Sequence, residues 1–313
     1  MKKDFSVVLS IIGVLIAISI SFFWGPAGFS VKELSIPIKL RLPRIVLGLY
    51  AGGVLSIAGA SLQGLLQNPL VDPYILGIAS GASFGAALGQ FLGNIGVFTT
   101  PLFSFLGAML TIFGVYFLAQ IKGVITKLSL VLSGVILSFF FSSLVMLLMT
   151  VSRKPLPEII YFLLGRLNLA FTKELLIMFI GLVIISIPLL VYLLSLWRAL
   201  NILSMNEDVA QSLGVDIRKI TRNIFLVCSF LVTAVVSFCG TISFIGLCVP
   251  HIVRLIYGPD HYKLLPMSFL LGSGVLIITD LIARNIGPVE LPLSVITALF
   301  GVPFFIYLLK QKL

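Results

Sequence analysis

Residues 44–89 read "RIVLGLYAGGVLSIAGASLQGLLQNPLVDPYILGIASGASFGAALG". Two apolar runs flank the segment "NPLVDP" at 68–73, and the first run is long enough to cross a hydrocarbon layer of roughly 30 Å as an α-helix. Proline cannot continue a helix, and it moves the residue before it out of the α region. Asn68 and Asp72 precede the two prolines, and both residue types favour turns. The stretch therefore predicts helices at 44–67 and 74–93 joined by a tight re-entrant turn.

The rest of the chain continues this pattern. Of its 313 residues, 59% are hydrophobic and only 10% are charged, whereas a soluble domain carries about 25% charged residues. The apolar runs are nearly continuous and lack the alternation of a membrane β-barrel. We predict an all-α polytopic membrane protein with a single transmembrane domain over 1–313. Breaks at glycine, proline and charged clusters place ten helices near 5–24, 44–67, 74–93, 101–121, 128–150, 174–196, 222–239, 244–256, 265–283 and 292–309.

The formal net charge of +10 sits mostly in short loops between apolar runs. Cations in such loops set membrane topology or contact lipid headgroups, so we expect lipid contact and no nucleic-acid partner. Their slight excess on one side predicts that both termini are cytoplasmic. The three cysteines and two histidines lack the spacing of metal ligands, so no metal site is predicted and the cysteines are interpreted as buried small residues.

The segment "KLRLPRIVLG" at 39–48 crowds Lys39, Arg41 and Arg44 around a proline just before an apolar run. The predicted topology places these cations on the outer side, where clustered positive charges are disfavoured. Their presence there calls for a reason other than topology. Lys39 is left without a role beyond that of an interfacial anchor.

Two sets of residues near the predicted turn are candidates for a translocation path or gate. Gln63 and Gln67 share one helical face before Asn68, and polar side chains at membrane depth usually face a bundle interior or a watery cavity. Glycines repeat every four residues in the next helix, which allows either close helix packing or a smooth wall of a path. This second set comprises Gly77, Gly81 and Gly85, followed by Gly89.

The segment 197–222 is the most polar part of the chain. Ser204 and Glu207 fit a capping box that starts a short helix, and Gly214 occupies the position expected after its end. Asp216 is suited to cap the helix that follows. The apolar face of the short helix recurs at four-residue spacing and consists of Met205, Val209 and Leu213. Such a face needs a partner surface, which is the rest of this chain, the membrane interface or another protein.

No motif for chemistry is visible in the sequence. It lacks the G-x-x-x-x-G-K-[ST] loop that cradles phosphate, and it has no nucleophile motif, so we do not expect an enzyme. An ion-coupled carrier should have carboxylates in the middle of its spans, yet Asp280 is the only acidic residue beyond the first residue of a predicted span, and it lies near one end. It is four residues from Arg284, so the two can pair. Any uphill transport is therefore expected to draw energy from another subunit.

Three segments resemble one family of proteins. They are "RLPR" at 41–44, "GTISFIGLCVPHIVRLIYGPDHYKLLP" at 240–266 and "DLIAR" at 280–284. With the stretch quoted first, they are similar to the FecCD permeases of ABC importers for ferric siderophores, haem and cobalamin. The resemblance implies the type II importer fold and a homodimer with the translocation path on its axis. It also implies two cytoplasmic ATPase subunits that hold ATP and magnesium, an outer solute-binding protein, a place in the cell membrane and no cofactor in this chain.

The resemblance also assigns roles to residues. Arg41, Arg44 and Arg284 match outer arginines that contact the binding protein, and 200–216 matches the coupling helices that meet the ATPase. The expected coupling residues are Ser204, Met205, Glu207, Val209, Leu213 and Gly214, and the candidate path or gate residues are Gln63, Gln67, Asn68, Gly77, Gly81 and Gly85. A ferric siderophore is the expected cargo, with haem, cobalamin and an oxyanion left open. The competing class is an ion-coupled secondary transporter that works without an ATPase.

Overall fold

The computed structural model of this chain describes residues 2–25, 28–29, 37–93, 98–121, 124–152, 160, 162–169, 171–205, 207–214, 216–287 and 289–312. Within these residues the chain forms twelve α-helices and two short β-hairpins. The helices are α1 Lys2–Phe23, α2 Leu42–Leu66, α3 Ile78–Phe91, α4 Thr99–Ala119, α5 Lys127–Val151, α6 Lys173–Ser195, α7 Trp197–Leu203, α8 Glu207–Ser212, α9 Ile217–Cys239, α10 Ile245–Tyr257, α11 His261–Asn285 and α12 Leu293–Lys312. The hairpins pair β1 Trp24–Gly25 with β2 Gly28–Phe29, and β3 Gln120–Ile121 with β4 Val124–Ile125.

The all-α membrane architecture predicted from sequence is confirmed. The ten predicted helices correspond to α1–α6 and α9–α12, and seven of the described helical segments are long and apolar enough to cross a membrane. The largest change in a boundary is at α9, which starts at Ile217 because Asp216 caps it by accepting from the Lys219 amide at 3.0 Å. The three cysteines are buried and unpaired, as interpreted above.

The predicted turn between α2 and α3 has the expected chemistry. The Asn68 side chain accepts from the Leu70 amide at 2.9 Å, and the Asp72 side chain accepts from the Tyr74 amide at 2.8 Å. Asp72 thereby caps a short 3-10 helix, Pro73–Leu76. Gly77 ends that helix with a φ of +77°, which glycine adopts without strain. The third long helix therefore begins at Ile78, a few residues later than predicted.

Helix α2 is the central element, because almost every residue from Ile45 to Leu65 is buried. Small residues let its neighbours approach closely. At Gly52 and Gly59 an added Cβ would overlap the carbonyl groups of Gly272 on α11 and Gly246 on α10. In lipid such close packing, rather than water exclusion, holds helices together. Helices α2 and α11 run antiparallel and thus define two ends of the bundle. The Arg44 end holds the first turn of α2, and the α7 end holds its last turn.

The glycine stripe of α3 serves packing. An added Cβ at Gly81 would lie 2.7 Å from the Gly107 carbonyl oxygen, and one at Gly85 would overlap the Phe103 carbonyl, both on α4. A Cβ at Gly77 would lie 2.8 Å from the Gly134 oxygen on α5. Backbone from neighbouring helices covers Gly77, Gly81 and Gly85, so the structure favours helix packing over the wall of a path, and the latter stays a prediction.

This packing predicts the effect of a single methyl group. Gly85→Ala should lower the free energy of unfolding by about 1–3 kcal/mol, because the new Cβ forces α3 and α4 apart. Gly181→Ala on α6 is the matched control, since an added Cβ there meets nothing within 4 Å. Denaturant unfolding of both variants in detergent micelles measures the difference. Equal stability of the two variants would contradict the packing role.

Candidate functional site

A cluster of charges occupies the Arg44 end of the bundle. Arg44 lies in the first turn of α2, and its Nε donates to Asp280 Oδ1 at 2.6 Å while its Nη1 donates to Glu290 Oε1 at 2.8 Å. The side chains of Arg44 and Asp280 are only 11% and 3% exposed. Arg284 Nε lies 3.8 Å from Asp280 Oδ2, so the pair predicted from sequence exists, although the shorter contact is to Arg44. The cluster joins α2 to α11 across this end.

Arg41 and Arg284 are bonded to the end of α1. Arg41 Nη1 donates to the Phe22 carbonyl at 3.0 Å, and Arg284 Nη2 donates to the Ser21 carbonyl at 2.6 Å and to Ser21 Oγ at 2.8 Å. The last carbonyls of a helix have no partner within the helix, and a cation placed there also interacts favourably with the helix dipole. Both arginines are 5% exposed or less. Both guanidinium groups are thus buried against α1 within this chain, and their role as outer contacts for another protein stays a prediction.

A cavity of about 270 Å³ opens beside this cluster, and it is lined by Arg44, Arg166, Asn168, Glu290 and apolar neighbours. Arg166 is held there by its backbone amide, which donates to the Cys239 carbonyl at 2.7 Å. Among the described residues, its buried Nε has no hydrogen-bond partner. No local pattern marks Arg166 as a site residue, because only the fold brings it next to Arg44.

A second cavity, of about 510 Å³, lies between α3, α5 and the turn before α10. Its lining is rich in hydroxyl groups, with two thioethers and no charged residue among those described. The polar lining residues are Tyr74, Ser80, Ser83, Ser138, Ser142, Thr241 and Ser243, and the thioethers are Met146 and Met149. Sequence reasoning missed this face of α3 and α5, although Ser138 and Ser142 at i, i+4 and Ser80 and Ser83 at i, i+3 are spaced to share a helical face.

Three of these serines are already bonded within their helices. Ser80 Oγ donates to the Gly77 carbonyl, Ser83 Oγ to the Ala79 carbonyl and Ser138 Oγ to the Gly134 carbonyl, each at 2.7–2.8 Å. A hydroxyl that donates in this way keeps its oxygen lone pairs as acceptors. The cavity thus offers polar contact to a solute without holding it by charge.

Gln63 does not line either of these two cavities. Its side chain is buried and hydrogen-bonded to the turn after α2 and to α10. Its Nε2 donates to the Val71 carbonyl at 3.2 Å and lies 3.5 and 3.3 Å from the Gly246 and Leu247 carbonyls, while its Oε1 accepts from Arg254 at 2.9 Å. Pro250 lacks the amide that would otherwise bond the Gly246 carbonyl. Gln63 therefore bonds α2 to α10, and its role as a gate residue stays a prediction.

The other two polar residues near the turn stand at the α7 end. Gln67 and Asn68 are both exposed there, and Gln67 Nε2 donates to the Leu203 carbonyl. Gln67 itself has a φ of 52° and closes α2. The role of these two residues in a gate stays a prediction.

In the segment α7–α8, the helix predicted to start after Ser204 begins instead at Glu207. Ser204 closes α7 and its hydroxyl donates to the Asn201 carbonyl at 2.8 Å, so it does not cap α8, which begins three residues later at Glu207. The side chains of Glu207 and Val209 lie outside the described residues, so the apolar face is described only in part. Met205 and Leu213 are 77% and 63% exposed. Gly214 has the positive φ, +78°, expected of a residue just after a helix.

Asn201 ties α7 to the start of α11. Its Nδ2 donates to Asp260 Oδ1 at 2.7 Å, and its Oδ1 accepts from the His261 amide at 2.8 Å and contacts His261 Nδ1 at 2.7 Å. Asp260 Oδ1 also accepts from the Tyr262 amide at 3.0 Å. The bond from Asn201, followed by that from the Tyr262 amide, lowers the pKa of the Asp260 carboxyl. This contact therefore holds above the ordinary carboxyl pKa and weakens as the pH falls below it.

A family model described as the FecCD transport family matches residues 5–311. The chain belongs to the FecCD transport family. The permease protein YvrB of an ABC transporter of Bacillus subtilis is 40% identical over 284 residues, covering 89% of this chain and 79% of its own. The cobalamin import permease BtuC of Halobacterium salinarum is 39% identical, covering 92% and 77%. A solved metal-chelate type ABC transporter in an inward-facing conformation matches with a TM-score of 0.86 at 33% identity, covering 99% of both chains.

In this FecCD protein, three regions thus stand out, namely the charge cluster at the Arg44 end, the hydroxyl-lined cavity and the α7–α8 segment. The family match, together with seven helices among the described residues that are long and apolar enough to cross a membrane, makes it a multi-pass membrane protein. A single transmembrane domain over 1–313 stays a prediction. Asp280, the one acidic residue beyond the first residue of a predicted span, is buried against two arginines. An ion-coupled carrier needs a carboxylate that is free to bind an ion, so this pairing does not favour that class.

The charge cluster predicts unequal effects of its two carboxylates in this FecCD protein. Asp280→Asn should lower the free energy of unfolding by about 3 kcal/mol, the lower end of the range for a broken buried pair, since Glu290 still contacts Arg44. Glu290→Gln is the control and should cost at most about 1 kcal/mol, because its side chain is 37% exposed. Denaturant unfolding in detergent measures both. A larger loss for the Glu290 variant would refute the assignment of Asp280 as the main partner.

Proposed function

We propose that this protein is the permease subunit of an ABC importer for a metal chelate. Two copies form a homodimer in the cell membrane, surrounded by lipid, with both termini in the cytoplasm. Two cytoplasmic ATPase subunits bind ATP and magnesium and contact the α7 end, and a solute-binding protein docks at the Arg44 end. The chain itself provides the path and catalyses no reaction.

The observation that carries this proposal is the exposed apolar surface of the α7–α8 segment. Met205 and Leu213 stand out from a segment whose buried residues, Leu200 and Leu203, fix it to the membrane helices. A segment of this length cannot span a bilayer. An exposed apolar surface on a polar segment fits a protein partner, and relatives of this chain are permeases of ABC transporters.

The hydroxyl-lined cavity supports a metal chelate as cargo. Its volume of about 510 Å³ is within the usual range for small-molecule sites, roughly 300–1,000 Å³. Its described lining has no cation that would hold an oxyanion and no carboxylate that would strip the metal from a chelate. We propose a ferric siderophore as the cargo, with haem and cobalamin as the alternatives that an uptake assay distinguishes.

We propose that the solute-binding protein docks over the cavity beside the charge cluster at the Arg44 end. The described residues at this end include four arginines, Arg41, Arg44, Arg166 and Arg284, but only two carboxylates, Asp280 and Glu290, so they carry a positive excess. Arg166 lines the cavity and has no ion-pair partner among the described residues, while Arg44 is partly exposed. An acidic side chain of the binding protein is the group that suits this cavity. Such contacts mainly steer and orient docking.

A polar substitution at Leu213, directly after α8, should weaken the proposed contact with the ATPase. Leu213→Ser should reduce the amount of ATPase that co-purifies with the chain about tenfold. The substitution removes an apolar contact, and the serine hydroxyl is more stable hydrated than buried against the ATPase. Leu92→Ser is the matched control, since Leu92 is 58% exposed but lies after α3, away from α8. Quantification of the ATPase in affinity-purified membranes measures the effect. Full retention by the Leu213 variant would argue against this docking surface.

The path predicts that filling the cavity stops transport. Ser142→Phe should abolish uptake while the complex still assembles, because the ring fills part of the space that the solute needs. Ser143→Phe is the control, because Ser143 lies next to it and does not line the cavity. Uptake of ferric hydroxamate, haem and cyanocobalamin into cells that express the complex is the measurement. Normal uptake of the transported probe by the Ser142 variant would exclude this cavity as the path.

A further inference from the structure

Three helices meet at one point at the α7 end. The ring of His261, the first residue of α11, lies against Gly64 in the last turn of α2, where an added Cβ would be 2.5 Å from His261 Nε2. Leu200 of α7 contacts the same glycine, since the added Cβ would lie 3.3 Å from its Cδ2. The ends of α2 and α11 and the middle of α7 therefore pack as one unit.

Two amide side chains fasten this unit. Asn201 makes three contacts from α7 to Asp260 and His261, each at 2.7–2.8 Å. Gln67 donates from the end of α2 to the Leu203 carbonyl, the last residue of α7. The rings of Trp197 and Tyr262 add an edge contact with centroids 5.2 Å apart. Side-chain bonds of this kind connect α7 to both helices without a covalent link.

Helices α2 and α11 are joined along their whole length. In the middle, Gly52 and Gly272 allow their backbones to touch, and Ser273 Oγ donates to the Leu49 carbonyl at 2.7 Å. At the Arg44 end, the bond between Arg44 and Asp280 closes the pair. His261 and Asp280 are about 29 Å apart along α11 at 1.5 Å per residue. A displacement at one end of such a pair is therefore carried to the other.

We propose that Asn201 and Gln67 are positioning residues that make α7–α8 and the α2–α11 pair one rigid unit. Movement imposed on α8 by a partner ATPase then reaches α2 and α11. Helix α2 packs against α10 at Gly59 and Gly246. The turn before α10 lines the hydroxyl-lined cavity with Thr241 and Ser243, so the movement opens or closes that cavity. Without these two side chains, α7 pivots on its apolar contacts and the movement is lost within the loop. This inference rests on the proposed function, because an ATPase partner supplies the movement.

State-dependent labelling of the cavity tests the proposal. Ser142→Cys places a thiol in the cavity, and the three native cysteines are buried, so a polar maleimide reports on the new thiol. The labelling rate is measured for the complete complex in nanodiscs, without nucleotide and with ATP plus vanadate. With both amides intact, the two rates should differ at least tenfold. With Asn201→Ala or Gln67→Asn added, the difference should fall below twofold while ATPase association and hydrolysis remain.

The second variant guards against loss of folding. Gln67→Asn keeps a residue that tolerates a positive φ but shortens the side chain. Asn223→Ala is the matched control, because Asn223 Nδ2 makes a similar bond between helices, to the Tyr192 hydroxyl at 2.8 Å, outside the α7 contact. This control should keep the full difference in rate.

Each other outcome has a separate meaning. An undiminished difference in the Asn201 and Gln67 variants overturns the proposal. Loss of the ATPase from these variants also overturns it, because the amides would then form the docking surface itself. No difference in the parent complex overturns the transmission to the cavity. A parent chain that binds no ATPase contradicts the proposed function instead, so the two failures are distinguishable.

Discussion

The buried ion pair between Arg44 and Asp280 determines how the helices at the Arg44 end are arranged. A carboxylate inside a membrane bundle is costly unless it is paired, and Asp280 is 2% exposed. Its pairing places the first turn of α2 against the last turns of α11. Arg284 donates to the Ser21 carbonyl in the last turn of α1. A single buried carboxylate thus fixes how three helices meet at one end.

Small residues determine the arrangement between the two ends. Lipid gives helices little hydrophobic reason to associate, so they gain from close van der Waals contact. Glycine on α2 admits α10 and α11, and glycine on α3 admits α4. The serines of α3 lie on the face that α4 does not cover, and this face looks across the cavity to α5. The hydroxyl-lined cavity is therefore a consequence of how the glycine stripe packs.

Helix positions were predictable from sequence, because hydropathy and proline breaks are local properties of the chain. Asn68, Asp72 and Asp216 were predicted as turn or cap residues for the same reason, since each bonds an amide two or three residues away. Ser204 was misinterpreted because α7, which the sequence did not reveal, ends at the position where α8 was expected to start.

Partners across the bundle were not predictable. Gln63 and Gln67 share a face in sequence, yet one is buried between α2 and α10 and the other is exposed at the α7 end, since only the neighbouring helices distinguish them. Arg41 and Arg284 match a family pattern but meet the carbonyls of α1. Asn201 gave no local signal, because its partners lie about 60 residues further along the chain.

Purification of the chain from its native membrane is the decisive experiment for the proposed importer function. An ATPase with a phosphate-binding loop should co-purify in stoichiometric amount, and solute uptake by the reconstituted complex should require ATP. A chain that purifies alone and moves solute under a proton or sodium gradient would contradict this function.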